Sequence, residues 1–254
     1  MEVCGVDAQI KKMLAALKAR HMKGIFAEDA EEGRLKIMNL IPLEATVGIG
    51  DSTAIRQMGL PQALMERGTK VLDAFGPQDK KMTPGDFWEM HARIVTKASV
   101  SDVFLTGTNA ITRDGRLVNV DAVGNRVAGM VWGHPLSIIV VGKNKIVRDL
   151  DEALHRIRNV IAPNHARIRS AELGGGKMKA PCTKTGTCSD CRAIDRICNI
   201  FTIIEGKPFR TVLTVVIVNE DLGLAWDTSW PESRIVRIIE NYKKFVWIPP
   251  RNNP

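Results

Sequence analysis

The sequence predicts an α/β protein: an open, doubly wound, mostly parallel sheet with helices on both faces, an N-terminal helical layer and a cysteine-rich metal-binding insertion. Three observations carry that expectation. The runs DVFLTG (102–107), LSIIVVG (136–142) and TVLTVVIV (211–218) are continuously apolar and β-branched rather than alternating, the pattern of strands covered on both faces. Helical patterns fall between the strand-like runs, which is the order of a parallel sheet. Four of the five cysteines crowd into PCTKTGTCSDCRAIDRICNI (181–200).

Taken in order, residues 8–40 read as helical, because Ile10, Leu14, Leu17, His21 and Ile25 recur every three or four residues among Lys, Arg and Glu. ATVGIG (45–50) reads as a short buried strand, and Asp51, Ser52 and Thr53 supply caps for a helix that Gly59 and Pro61 interrupt. TKVLDAF (69–75) is the next strand, and Pro84 opens a helix to Ala98. Helical segments are expected at 124–131 and 149–161, and Asp114-Gly115 is a hairpin turn signal. The basic run HRIRNVIAPNHARIR (155–169) reads as a solvated helix face, and Ile235, Ile238, Ile239 and Tyr242 mark a helix within the tail. One domain over 1–254 is expected, with a helical region at 1–42, a cysteine segment at 174–200 and a C-terminal extension at 230–254.

Composition narrows the partners. No apolar run reaches the roughly 18 residues that a membrane span needs, and no signal-peptide pattern opens the chain, so a cytoplasmic protein is expected. The net charge of +8 is spread along the sequence, and with seven Phe and one Tyr there is little for base stacking. The charge therefore suits a small anionic or polar molecule, or an acidic protein partner, better than nucleic acid. A homodimer is left open.

In an open parallel sheet, ligands bind beyond the carboxyl ends of the strands. That rule gathers the candidate ligand-binding residues: Gly48, Gly50, Asp51, Ser52 and Thr53 at one strand-to-helix turn, Gly107 at a second, Asn125 and Arg126 further on, and Lys143 after the 136–142 strand. Asn109, Asp121 and Glu220 are the candidate catalytic residues, Glu220 because it directly follows an apolar strand. Gly174-Gly175-Gly176-Lys177 lacks the second half of a phosphate loop and reads as a lead into the cysteine segment.

The cysteine spacing is C-x5-C-x2-C-x6-C, made by Cys182, Cys188, Cys191 and Cys198. Thiolates ligate both iron–sulfur clusters and zinc. With one C-x2-C pair and no histidine in the segment, the pattern favours a [4Fe–4S] cluster over zinc, which stays as the alternative. Lys184, Arg192 and Arg196 would offset thiolate charge. Residues 192–198 are expected to make about two helical turns that bring Cys191 and Cys198 to one side. The segment is expected to enter between the polar strand-end loops and the turn at 218–221.

VGIGDST, LTGTNAITRDGRLVNVDAVGNRVAG, IIVVGKNKIVRDLDEAL and VVIVNEDLGLAWD are similar to the signatures of the LUD-domain family, the lactate-utilization proteins, and span most of 45–227. The resemblance implies the fold of ribose phosphate isomerases and CoA transferases, with an anion held at the turn Gly48–Thr53. Where the isomerases carry a Gly-Ala-Asp catalytic acid, this sequence has Gly107-Thr108-Asn109, and Asn109 is not an acid or base. Members tied to lactate oxidation work with iron–sulfur partner subunits. The resemblance thus implies a [4Fe–4S] protein of redox or hydroxy-acid metabolism, an oxidoreductase or a subunit of one. An isomerase-like or ligand-binding protein with structural zinc is the other reading.

Overall fold

The structure, a computed structural model, describes residues 3–77, 82–174 and 178–249, with side chains from residue 8 onward. Cys4 as a side chain, Gly175 to Lys177 of the glycine lead, and Pro250 to Pro254 of the tail lie outside the described residues.

A six-stranded parallel sheet forms the centre: β1 (Lys23–Ala27), β10 (Val212–Val218), β7 (Leu136–Gly142), β4 (Val103–Gly107), β2 (Thr46–Ile49) and β3 (Lys70–Leu72), in that order across the sheet. The continuous apolar runs form it because every side chain has a layer to meet. Ile138, Val140, Val216 and Val218 face one core, with Ile37, Ile55 and Leu64 of α2 (Ala30–Leu40), α3 (Thr53–Gln57) and α4 (Leu60–Glu66). Ile139, Val141, Val215 and Ile217 face the other, with Met13 and Leu17 of α1 (Val3–Ala19) and Met130 of α6 (Asn125–Val131). Each such side chain fully withdrawn from water contributes about 1.5–3 kcal/mol, so both faces are specified by the strand sequence itself. Gly59, in the left-handed region at φ +64, separates α3 from α4 as the sequence breaker there predicts. Helix α5 (Pro84–Ala98) begins at its proline, capped by the Thr83 hydroxyl, which accepts from the Asp86 N–H.

Four expectations are corrected. First, the helical region at 8–40 is two helices around a strand. His21, at φ +59, ends α1, and Lys23–Ala27 pairs with β10. Gly24 permits the close approach: a Cβ there would stand 2.8 Å from Leu14 Cδ2. Second, a small four-stranded sheet stands beside the main one, ordered β8 (Ile146–Val147), β5 (Ala110–Thr112), β6 (Leu117–Asp121) and β9 (Ile200–Ile204). The Asp114-Gly115 turn joins β5 to β6, with Gly115 at φ +90. Third, residues 192–198 are not helical. The Arg196 guanidinium donates to the carbonyls of Cys191 and Cys198, which in a helix would take backbone donors. Fourth, the basic run is not a solvated face. Arg156 of α7 (Leu150–Arg156) is buried and paired with Glu152 and Asp227.

A wide π turn, Ile157–Ile161, links α7 to α8 (Ala162–Glu172). Pro163 sits just beyond it, where the missing N–H and the ring would break a regular α-helical ladder. Helix α10 (Glu232–Lys243) follows, and its Ile238 and Tyr242 pack on Val160 and Ile168 of the π turn and α8.

Candidate functional site

The carboxyl ends of β2, β4 and β7 open into a cleft of about 590 Å³. Asp51, Ser52 and Thr53 come from the turn after β2, and Gly107, Thr108 and Asn109 from the end of β4. Asp121, Asn125 and Arg126 come from the end of β6 and the start of α6, Lys145 from the one-turn 3-10 segment after β7, and His165 and Arg169 from α8. Gly223, Leu224, Tyr242 and Trp247 close it from the C-terminal side.

Arg126 fixes the cleft floor. One terminal nitrogen donates to Gly107 O and Asn119 Oδ1, each at 3.0 Å, and the other to Asn109 Oδ1 at 2.9 Å and Val120 O at 2.7 Å. Its Nε stands 3.5 Å from Asp121 Oδ2. Burial pushes its pKa down, and the Asp121 and Asp51 charges oppose that. With its donors committed to the protein, Arg126 is a clamp between the two sheets. Asn109, which the sequence marks as unable to act as an acid, also accepts from Val120 N at 3.0 Å.

Asp51, Lys145, His165 and Tyr242, around this clamp, are displaced from their ordinary ranges. Burial raises the Asp51 pKa, with the positive charges of Arg56, Arg169 and Arg126 opposing it. Burial lowers Lys145 to about 7, and the Arg126 charge adds to the effect. His165 Nδ1 lies 2.5 Å from the Tyr242 hydroxyl, and burial, then the charges of Arg169 and Arg126, lower that histidine to about 3. The histidine is therefore neutral at pH 7, and the buried Tyr242 hydroxyl is held protonated. A cleft whose acids are pushed up and bases pushed down has the electrostatics of a proton-transfer site.

An aromatic group forms the rim. His91 stacks on Trp247 with ring centroids 5.3 Å apart, Phe75 meets both rings edge-on, and the Arg169 guanidinium lies 5.5 Å over Trp247. Arg169 Nε, His91 Nε2 and Trp247 Nε1 are buried without hydrogen-bond partners.

Not every residue expected at the cleft is there. Lys143 is exposed, and its backbone N–H donates to Glu220 O, which turns its side chain outward. Glu220 Oε1 accepts from Ala30 N at 3.0 Å at the start of α2, away from the cleft. Gly48 and Gly50 are packing residues: a Cβ on Gly48 would stand 2.4 Å from Ala98 O, and one on Gly50 2.7 Å from Thr106 Oγ1. Lys145, His165, Arg169, Tyr242 and Trp247 were not signalled by the sequence as cleft residues. The polar strand-end rule pointed only as far as the loop holding Lys145.

The four cysteines line one small pocket of their own, together with Arg158, Ala162, Ala166, Arg196 and Ile197. All four are half-buried and none is disulfide-bonded. Cys182 opens the single turn α9 (Cys182–Thr185), which Gly186 ends at φ +75. Burial raises its thiol pKa, and the neighbouring Cys191, Cys198 and Cys188 raise it further. A thiol at Cys182 whose ionisation is disfavoured by the sulfurs beside it fits a bound cationic centre, which would relieve that repulsion. The donor set is sulfur only, which both iron–sulfur clusters and four-cysteine zinc sites use. Among the described residues, no group of three or more His, Cys, Asp or Glu side chains is arranged to hold a metal ion. The thiol pocket and the cleft share a wall, because Ala162 and Ile197 line both. The residue after Cys198 ties the segment to the cleft edge: Asn199 N donates to Asp121 O at 3.0 Å and its side chain to Ala122 O at 3.1 Å. The segment therefore docks on β6 and α8, not beside the turn at 218–221.

No helix among the described residues is long and apolar enough to cross a membrane. No curated protein sequence matches the chain. A DUF162-family protein from Deinococcus radiodurans is similar in structure, with 14% identity over 85% of this chain and 98% of its own and a TM-score of 0.43. The LUD domain family model matches residues 10–218, which include the main sheet and the whole cysteine segment. On that match, the chain belongs to the LUD-domain family.

Proposed function

We propose that the protein is a [4Fe–4S]-binding redox protein of hydroxy-acid metabolism, in which Cys182, Cys188, Cys191 and Cys198 hold the cluster and the adjacent cleft binds a small anionic or polar substrate. The observation that carries this reading is the shared wall: Ala162 and Ile197 line both the small pocket of the four cysteines and a cleft that holds displaced acids and bases. When bound, the cluster would supply one-electron transfer at the cleft wall. The chain's own residues do the rest. Arg126 holds Asn109 and Asp121 in place, Asp51 and Lys145 are placed to hold and release protons, and Arg169 lines the cleft with a positive charge for an anion. Arg196 braces the cysteine segment through the Cys191 and Cys198 carbonyls. Electron partners of the iron–sulfur class belong to the same reading, as does a cytoplasmic location.

Anaerobic purification with iron, sulfide and zinc quantification tests it. About four irons and four sulfides per chain, lost together in Cys188→Ser, are expected. A colourless protein with one zinc per chain would select the alternative, an isomerase-like or ligand-binding protein with a structural zinc site. The displaced pKa values of Asp51 and Lys145 favour proton-transfer chemistry in that alternative as well.

A further inference from the structure

The cleft contains an amine whose surroundings do not suit a charged ammonium. An ammonium carries three donors and requires acceptors for them when buried. Lys145 is 6% exposed, and its Nζ meets one acceptor, Thr108 O at 2.7 Å. The charge that acts on it is the positive one of Arg126, fixed by its own bonds. A neutral amine satisfies the same position with fewer unmet donors and keeps a lone pair free. Only a glycine fits beside it, since a Cβ on Gly223, at φ +71, would stand 2.8 Å from Nζ, and both residues line the cleft.

We propose that Lys145 is a nucleophilic amine that condenses with the carbonyl group of a small anionic aldehyde or ketone, a 2-oxo acid in class, seated in the cleft. The Nζ lone pair forms a C–N bond to the carbonyl carbon, and the C=O π pair moves to oxygen. That oxygen takes a proton while the nitrogen loses one, giving a carbinolamine. A second proton lets the hydroxyl leave as water, and the nitrogen lone pair closes the C=N bond. No oxidant or reductant is consumed. Asp51, held toward its protonated form by burial, lines the same cleft and is the acid at hand for the departing water. Arg169 lines the same cleft and offers the charge of its guanidinium to the carboxylate. The groups facing the cleft besides these are Asp121, Arg126, His91, His165 and Tyr242. The proposal concerns the cleft alone and stands whether the thiols hold iron, zinc or neither.

Reductive trapping tests it on the intact wild-type protein. Glyoxylate and cyanoborohydride are added near pH 7, and each lysine's conversion to the carboxymethyl adduct is measured by peptide mass mapping. Exposed Lys143, two residues away, is the internal reference. An ordinary lysine near 10.4 has about a thousandfold less free amine at pH 7 than one near 7. Discounted for the weaker nucleophile, Lys145 is expected to label at least ~10-fold faster than Lys143. Its labelling rate should level off above neutral pH, where its amine is already free. Labelling of Lys145 no faster than Lys143 overturns the proposal, and an equal excess with neutral acetone overturns the anionic substrate class. Iron is measured on the same sample, so failure of the cluster reading and failure of the amine are read separately.

Discussion

Replacing Arg126 by methionine probes the joint between the two sheets. The side chain spans from Gly107 at the end of β4 to Val120 in β6, with Asn109, Asn119 and Asp121 between them. Methionine fills much of the volume but donates nothing. Asn119 Oδ1 keeps the Thr108 hydroxyl at 3.0 Å, and Asn109 Oδ1 keeps Val120 N at 3.0 Å, so these two acceptors are not orphaned. Asp121 fares worse. Its Oδ1 retains the N–H groups of Val123 and Gly124, but its Oδ2 has no hydrogen-bond partner and would lose the only cation beside it among the described residues. Breaking a buried pair from one side costs about 3–5 kcal/mol, and partial retention of the other bonds keeps the total in that range rather than above it. At about 2–4 °C per kcal/mol for a chain of this size, Arg126→Met should melt roughly 6–20 °C below wild type, read by far-UV circular dichroism with a urea titration beside it. Arg126→Lys keeps the charge but cannot reach both strands, so an intermediate loss of about half is expected. A methionine variant within ~1 kcal/mol of wild type would refute the clamp.

Two further perturbations separate packing from ligand contact. Gly48→Ala forces a Cβ against Ala98 O at 2.4 Å and Ser101 Oγ at 2.6 Å, so a loss of about 1–3 kcal/mol in urea unfolding is expected with glyoxylate labelling of Lys145 unchanged. Unaltered stability with lost labelling would instead make the glycine turn part of the ligand site. His165 is neutral in the fold because its pKa is lowered to about 3 against an ordinary value near 6.5. Its contribution is fully present above pH 6.5 and is lost as the pH falls toward 3, because the unfolded chain binds the proton first. Discounted for the part of the ring that meets cleft water, this amounts to ~1–2 kcal/mol at pH 5. His165→Gln should therefore show a shallower loss of stability from pH 7 to pH 5, and parallel acid slopes in the two proteins would rule the effect out.

What was legible in the sequence was what local chemistry decides. A strand covered on both faces must be apolar at every position, so β7 and β10 announce themselves. Four cysteines within seventeen residues cannot lie far apart, so four thiols around one pocket could be expected from their spacing. β1 was hidden because Ile25 continues a helical period begun at Ile10, and only His21 in the left-handed region breaks it. The cleft was half legible. Residues at strand ends follow from the parallel-sheet rule, but the one-turn segment after Gly142 sends Lys143 outward and Lys145 inward, and no periodicity reports that twist. His165, Tyr242 and Trp247 meet only in three dimensions. Tyr242 lies 77 residues from His165, so what the sequence reads as a C-terminal extension is a wall of the cleft.

Helix α8 explains why the thiol pocket and the cleft belong in one argument. A helix with a single buried side shows an apolar stripe, and α8 shows none, carrying His165, Arg167 and Arg169 among its alanines. It has two partners instead of one. Ala162, Pro163 and Ala166 line the thiol pocket, and alanine and proline there let the cysteine segment come close. His165 and Arg169, four residues apart and so on one face, line the cleft. The π turn before Ala162 rotates these faces relative to α7, at a position where such turns often accompany function. A helix that gives small residues to the sulfurs and titratable residues to the cleft is the arrangement expected if what happens at the sulfurs is felt at the substrate.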